Sequence, residues 1–437
     1  MTTQHKQKIL DELYSFHRAG IKPGLKRTQL LLKELGNPES HLKAIHIAGT
    51  NGKGSTCSML ASVLSTAGYK VGLYTSPHLL EFNERIRING VNISDNQMIP
   101  LLERMLPIAK QLDCTFFEIT TALAFEHFKL NDVDFAVIET GMGGRYDSTN
   151  VLYPILTIIT QIDLDHQEFL GDNLEAIAQE KAGIFKPKVP IIVSDTHQEL
   201  KDVFINRAEA VASPIFFTEE WYSVSNYFID SFLNMNLSIS DGINEYNNLK
   251  IEKAGRHQIN NLKAVLSAFQ FLKNEYPNLT ETSLRDGLAN IKQNTNLFGR
   301  IEILQKKPIM ILDVAHNPSG AMVLASTLAD SPYSDTKFNI IFGVMADKDI
   351  KNILLPLHQF CDELIITKPE TDRASGLENI SQIAKDLDFN HIKMINSVAE
   401  AVQYALNLNS PTLIVGSFYT AGEALEAIKL QNQASIS

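Results

Sequence analysis

The sequence predicts an α/β fold: an N-terminal doubly wound, mostly parallel sheet opened by a phosphate-loop turn, followed by a smaller C-terminal Rossmann-like α/β domain. Three observations carry that expectation. Short apolar runs rich in β-branched residues recur along the chain with helix-like segments between them, as expected of strands buried on both faces. The first run, Ala44-Ile-His-Ile-Ala48, ends in the glycine-rich turn Gly49-Thr-Asn-Gly-Lys-Gly-Ser55-Thr56, and an apolar helical segment follows. The alternation lapses over residues 215–297 and then resumes, so a chain of 437 residues divides into more than one domain.

In order, the strand candidates after the first are 70–74, 134–138, 155–159 and 190–193, with helices expected over 96–111, 118–129 and 174–182. Residues 215–252 are rich in Ser, Asn, Tyr and Phe with partial alternation, which reads as an antiparallel excursion. Helical spacing returns over 260–273 and 283–291. The polar, non-periodic Lys292-Gln-Asn-Thr-Asn-Leu297 is the candidate linker. It gives domains of 1–295 and 296–437. In the second, strands are expected at 309–312, 338–342, 364–367 and 413–415, and helices at 320–329, 350–360, 399–408 and 421–430.

Composition narrows the function. Fifty acidic residues face 39 Lys and Arg, a formal charge of −11. That balance argues against a nucleic-acid surface, which needs basic patches to neutralise phosphates. Small anionic substrates remain compatible, because loop amides and a few placed cations act locally. The three cysteines, Cys57, Cys114 and Cys361, are widely spaced and odd in number, which fits a reducing compartment. The N-terminus lacks a signal-like apolar core, and no apolar run is long enough to cross a bilayer. A soluble, cytoplasmic protein is expected, without membrane or nucleic-acid partners. Without a sustained heptad pattern, a monomer is expected.

The chemistry-bearing positions cluster at strand ends. In the 49–56 turn, backbone N–H groups, a helix N-terminus and Lys53 make an anion cradle. Its spacing is shorter than the usual Walker pattern: two residues separate Gly49 from Gly52-Lys53, and Gly54 precedes Ser55. A glycine-rich αβ turn without ligand has the same local features. Glu139 closes an apolar run and is followed by Gly141, Gly143, Gly144 and Arg145. A carboxylate there suits Mg²⁺, although an acid that merely ends a strand looks alike. His166 follows another strand, where a hydrogen-bonded loop histidine is equally at home. Lys181 sits near a helix C-terminus, which the dipole favours. Ser76 before Pro77 is ordinary turn chemistry, and Asn261 opens a helix as a cap would. Asp313-Val-Ala-His316-Asn-Pro lies between a strand and a helix, with Arg300 upstream in Leu297-Phe-Gly-Arg.

Taken together these motifs resemble the Mur ligase superfamily, and within it the dihydrofolate synthase/folylpolyglutamate synthase family. The resemblance runs from about Gly20 to the C-terminus. It implies an ATP-dependent ligase that adds L-glutamate to dihydropteroate and to tetrahydrofolates through an acyl phosphate. It implies ATP contacts from Thr50, Asn51, Gly52, Lys53, Gly54, Ser55, Thr56, Asn261, Arg300 and Asp313. Lys53, Lys181 and His316 take catalytic positions. Two Mg²⁺ sites would draw on Ser55, Ser76, Glu139 and His166, and Lys181 matches a lysine carboxylated on its amine. Pro23, Gly24, Leu25, Thr115 and Tyr146 match acceptor-substrate positions. The usual Leu-Pro-Gly-Arg reads Leu-Phe-Gly-Arg here, which keeps the guanidinium of Arg300. The alternatives are a monofunctional folylpolyglutamate synthase, another Mur-type amide ligase, a P-loop kinase or NTPase, and a non-catalytic nucleotide binder. A peptidoglycan-type ligase would need more chain ahead of Gly49 for a sugar-nucleotide domain.

Overall fold

The structure, a computed structural model, describes residues 3–20, 22–164 and 167–434. Eight strands form the first sheet: β1 (Ala44–Ala48), β2 (Val71–Tyr74), β3 (Ile86–Ile88), β4 (Val91–Asn92), β5 (Phe135–Glu139), β6 (Leu156–Ile159), β7 (Ile191–Val193) and β8 (Ile215–Phe217). Their order is β4-β3-β2-β5-β1-β6-β7-β8. Six run parallel, and the β3–β4 hairpin adds antiparallel strands at one edge. Every residue of β1, β2, β5 and β6 is buried, because helices cover both faces.

One face packs on the helix Lys53–Thr66, where Ser55 through Leu64 are all buried. That helix is in turn enclosed by the helices His257–Leu272 and Glu281–Ala289. The other face packs on Asp95–Gln111 and Phe116–Leu130. The expected antiparallel excursion is a three-stranded sheet of β9 (Ser223–Ile229), β10 (Met235–Ser240) and β11 (Glu245–Ile251). Its apolar side, including Met235, Leu237 and Leu249, joins the core around the Lys53–Thr66 helix.

The second sheet contains β12 (Glu302–Lys306), β13 (Ile309–Leu312), β14 (Phe338–Phe342), β15 (Cys361–Lys368), β16 (Ile392–Ser397) and β17 (Thr412–Val415). The order is β12-β13-β17-β14-β15-β16, parallel apart from the β12–β13 edge pair. Two expectations need correction. The candidate linker is largely helical, as Ile291–Thr295. The helix expected over 350–360 is α-helical only as Ile350–Leu354 and tightens into 3₁₀ turns across Leu355–Phe360, with Pro356 near the change. Among the described residues no helix is long and apolar enough to cross a membrane.

Candidate active site

β1 ends at Ala48 and the chain turns over the carboxyl edge of the sheet. Glycine is needed at two points. Gly49 (φ +154°) would carry a Cβ 1.8 Å from Thr160 Oγ1, and Gly52 (φ +89°) one 2.3 Å from Asn261 Oδ1. The turn therefore lies directly against the end of β6 and the His257–Leu272 helix. The N–H groups of Thr50 and Asn51 both donate to the Gln161 carbonyl, at 2.8 and 3.2 Å. Lys53 Nζ donates to the carbonyls of Gly49 (2.9 Å) and Thr50 (3.1 Å), and Lys181 Nζ also donates to Gly49 O at 2.8 Å. Two ammonium groups thus converge on one carbonyl. Behind the turn, the Thr56 hydroxyl donates to Asn261 Oδ1 at 3.3 Å, and Asn261 Nδ2 donates to Gln258 Oε1 at 2.9 Å.

Glu139 ends β5, one strand over, in register with Ile47. It is buried, and its Oε2 accepts the Ser76 N–H at 3.1 Å. Burial raises its carboxyl above the ordinary range, with the Lys53 charge the largest opposing influence. A Cβ at Gly54 would lie 3.7 and 3.8 Å from the two Glu139 oxygens, so the start of the helix faces the carboxylate with no side chain between. Glu139, Ser55 and Ser76 line one cavity. A carboxylate with hydroxyls is a hard-oxygen set that fits Mg²⁺, which commonly takes one or two protein carboxylates and completes its shell from nucleotide phosphates and water. Among the described residues no group of three or more His, Cys, Asp or Glu is placed to hold a metal. His166 lies outside the described residues.

The opposite wall belongs to the second sheet. Asp313 follows β13; its Oδ2 accepts the Ile301 N–H at 2.8 Å and its Oδ1 the Ala315 N–H at 2.7 Å. Burial raises this carboxyl too, opposed chiefly by Arg300. Ile301 has φ +49°, a conformation that costs a β-branched residue roughly 1–3 kcal/mol. The bond to Asp313 pins that turn and so fixes where Arg300 begins. The Arg300 guanidinium lies 5.5 Å from the Phe418 ring centroid, and the His316 ring is 5.6 Å from the same ring. His316 Nδ1 is 2.9 Å from the Val314 carbonyl. Burial, then the charge of Arg300, lowers nearby His257 to about 4.

These walls enclose a cavity of about 690 Å³ lined by Lys53, Glu139, Asn261, Arg300, Asp313 and His316 among others. The lobes also touch across it at Ser319, whose Oγ accepts from Asn51 Nδ2 (3.2 Å) and donates to Asp163 Oδ2 (3.4 Å), while Asn51 Nδ2 also donates to Asp163 Oδ2 (2.6 Å) within the first lobe. Thr50, Gly52, Gly54, Ser55 and Ser76 line the same space, whereas Thr56 and Lys181 support the turn from beneath. The acceptor candidates stand apart from this lining. Thr115 is a helix cap, accepting the Glu118 N–H at 3.4 Å while Glu118 accepts its own N–H at 2.6 Å. Pro23, Gly24 and Leu25 are brought beside it, because Lys22 pairs with Asp113 and Arg27 with Glu118. Tyr146 is exposed on another loop. Asp163, Ser319, Gln161, His257 and Phe418 also line the cavity and were not among the candidate residues, although His257 and Phe418 lie in the motif-like segments His257-Gln-Ile-Asn-Asn261 and Gly416-Ser-Phe-Tyr419.

Comparison with known proteins agrees with this geometry. The family described as Mur ligase middle domain matches residues 47–269, and Mur ligase, glutamate ligase domain, matches 299–417. The dihydrofolate synthase/folylpolyglutamate synthase of Bacillus subtilis is 34% identical over 420 residues, covering 94% of this chain and 96% of that protein. The Mycobacterium tuberculosis folylpolyglutamate synthase complexed with ADP superposes with a TM-score of 0.86 at 27% identity, covering 97% of this chain and 98% of that one. The bifunctional folylpolyglutamate synthase/dihydrofolate synthase of Yersinia pestis, complexed with AMPPNP and a Mn ion, gives 0.82 at 28%, with 97% and 98% covered.

Proposed function

The chain belongs to the Mur ligase family, in its dihydrofolate synthase/folylpolyglutamate synthase group, and on that premise we propose how its site works. It is an ATP-dependent acid–amino-acid ligase that joins L-glutamate to dihydropteroate and to tetrahydrofolate. A carboxylate is a poor electrophile. Its oxygen therefore attacks the γ-phosphorus of ATP, the bond to ADP breaks, and an acyl phosphate forms. The amine of glutamate then attacks the acyl carbon, the C–O bond to phosphate breaks, and the amine gives up a proton. Such chemistry depends on positioning and charge neutralisation more than on protein nucleophiles.

In this reading the turn of residues 50–56 holds the triphosphate through Lys53 and the amides of residues 52–55, the Thr50, Asn51 and Thr56 amides being bonded within the fold. Arg300 and Asn261 hold the nucleotide with Asp313 fixing the Arg300 turn, and His316 works at the reacting phosphate. Ser55, Ser76, Glu139 and His166 hold two Mg²⁺, which supply neutralisation of phosphate charge. Carboxylation of Lys181 would exchange its cation for an anion beside that set. Pro23, Gly24, Leu25, Thr115 and Tyr146 form the acceptor pocket. The lobes are the domains 1–295 and 296–437, and bringing them together excludes water from the acyl phosphate. The protein acts as a cytoplasmic monomer on small molecules, without nucleic-acid or membrane partners.

The observation that carries this reading is the single cavity lined by Lys53 and Glu139 from one lobe and by Arg300 and Asp313 from the other. The test is ATP consumption with dihydropteroate, with tetrahydrofolate or with neither, each with and without L-glutamate. Glutamate-dependent ADP release with both acceptors is expected. Turnover with tetrahydrofolate alone means a monofunctional synthase, and glutamate-independent release of phosphate refutes the ligase reading.

A further inference from the structure

We propose a second anion-binding site in this protein, for a small multiply charged ligand bearing phosphate or carboxylate groups, in the cavity behind Arg300 where the two lobes join. A cavity of about 500 Å³ lies between the β9–β10 turn, the end of β11, the segment around Lys292 and the edge strand β12. Among its lining residues, Lys250, Lys253, Lys292, Arg300 and Lys306 face only Glu252 and Glu302, five cations against two carboxylates. That local excess of +3 runs against a whole-chain charge of −11.

Both carboxylates are already engaged. Glu252 Oε2 accepts the backbone N–H of Lys292 at 2.7 Å, and Glu302 is ion-paired with the Lys292 ammonium. Lys253 is the telling residue. It is only 5% exposed, it lines the cavity, and it makes no hydrogen bond or ion pair with any of the described residues. A side chain so enclosed, with little water to solvate its charge, gains from an anion placed within the cavity it lines. Burial lowers its pKa, with Glu302 and Glu252 drawing it back and Arg300 adding repulsion. The rim adds Lys306, whose ammonium sits 4.5 Å from the Phe232 ring centroid.

Arg300 lines this cavity and the larger one in front of it. The proposal does not depend on the ligase assignment, and its test needs no turnover.

The experiment titrates inorganic phosphate in one arm and succinate in the other into full-length protein saturated with Mg·AMPPNP, at constant ionic strength, by calorimetry. The nucleotide keeps the larger cavity filled. Saturable binding of either probe is expected and identifies the favoured group. Lys253→Gln should weaken that binding by about tenfold or more, the loss expected for a charge-assisted bond in a desolvated site. Lys306→Gln on the exposed rim should weaken it by about threefold, and this variant stands if the buried substitution impairs folding. Neither variant should change AMPPNP affinity in the absence of the probe. No saturable binding of either probe overturns the proposal, as does binding that both variants leave unchanged.

Discussion

Gly54→Ala separates the stability of the phosphate turn from its chemistry. Gly54 is in the first turn of the Lys53–Thr66 helix and has no positive φ. Among the described residues, and apart from its own helix backbone and chain neighbours, the atoms within 4 Å of an added Cβ are the Glu139 oxygens at 3.7 and 3.8 Å, ordinary van der Waals separation. The fold should accept the methyl, and alanine's higher helix propensity adds up to about 1 kcal/mol. The metal shell should not accept it. An Mg²⁺ held by Glu139 would need room beside the carboxylate for its other oxygen ligands, and the methyl would stand in contact with both Glu139 oxygens. Loss of about tenfold or more in affinity for Mg·AMPPNP is expected, about 1.4 kcal/mol. Thermal midpoint should hold or rise, and affinity for metal-free ADP should change less. Calorimetry with a parallel melting curve reads all three. Unaltered Mg·AMPPNP affinity, or a lost affinity that merely tracks a lower melting point, refutes the reasoning.

Gly52→Ala should do the opposite and destabilise, because its φ of +89° costs an L-residue roughly 1–2 kcal/mol and its Cβ would displace the Asn261 amide; a fall in melting temperature checks this. Lys53→Met should lower kcat by about 10²-fold or more and lower the melting temperature slightly at neutral pH, since its ammonium bonds turn carbonyls and offsets the buried charge of Glu139; kinetics with a parallel melting curve checks both. His46, buried in β1 with its Nε2 2.8 Å from Thr149 Oγ1, is pushed by burial from 6.5 to about 3. Its folded pKa is depressed, so the unfolded chain takes the proton first as pH falls. Stability is full above 6.5 and is lost on the way down to about 3. At pH 5 the loss from this group is about 2 kcal/mol relative to neutral pH. Denaturant titrations of wild type and His46→Gln at pH 7 and 5 should show a shallower pH dependence in the variant.

The central strands were legible because burial on both faces demands unbroken apolar runs such as Ala44–Ala48 and Phe338–Phe342. The edges were not read. β12 and β16 are only partly buried, so their composition is mixed. The β3–β4 hairpin did carry a signal: its Asn89-Gly90 turn has both residues at positive φ, the pairing that tight hairpins favour. The polar segment 292–297 was read as linker because hydrophobic period alone was weighed. Its helix is held partly by polar contacts, with Asn294 Nδ2 donating to Ser62 Oγ and Thr66 Oγ1, both at 3.0 Å. At the site, Lys53, Glu139 and Asp313 were visible because each sits in a local motif at a strand end. The contacts of Asn51 with Asp163 and Ser319 were not, because they join residues 112 and 268 positions apart.

The tie between residue 294 and the phosphate-turn helix decides where movement can occur. Gly287 packs so closely that an added Cβ would come within 2.6 Å of Val63 Cα, and the Ser62 hydroxyl bonds its carbonyl at 2.6 Å. The segment from Gly287 to Thr295 is therefore anchored to the first sheet's helix. Any swing of the second sheet must turn on the few residues after it, where Asn296 and Gly299 have left-handed backbones. The bond from Ile301 to Asp313 lies beyond that axle, so Arg300 and Asp313 will travel as one jaw against a stationary anvil.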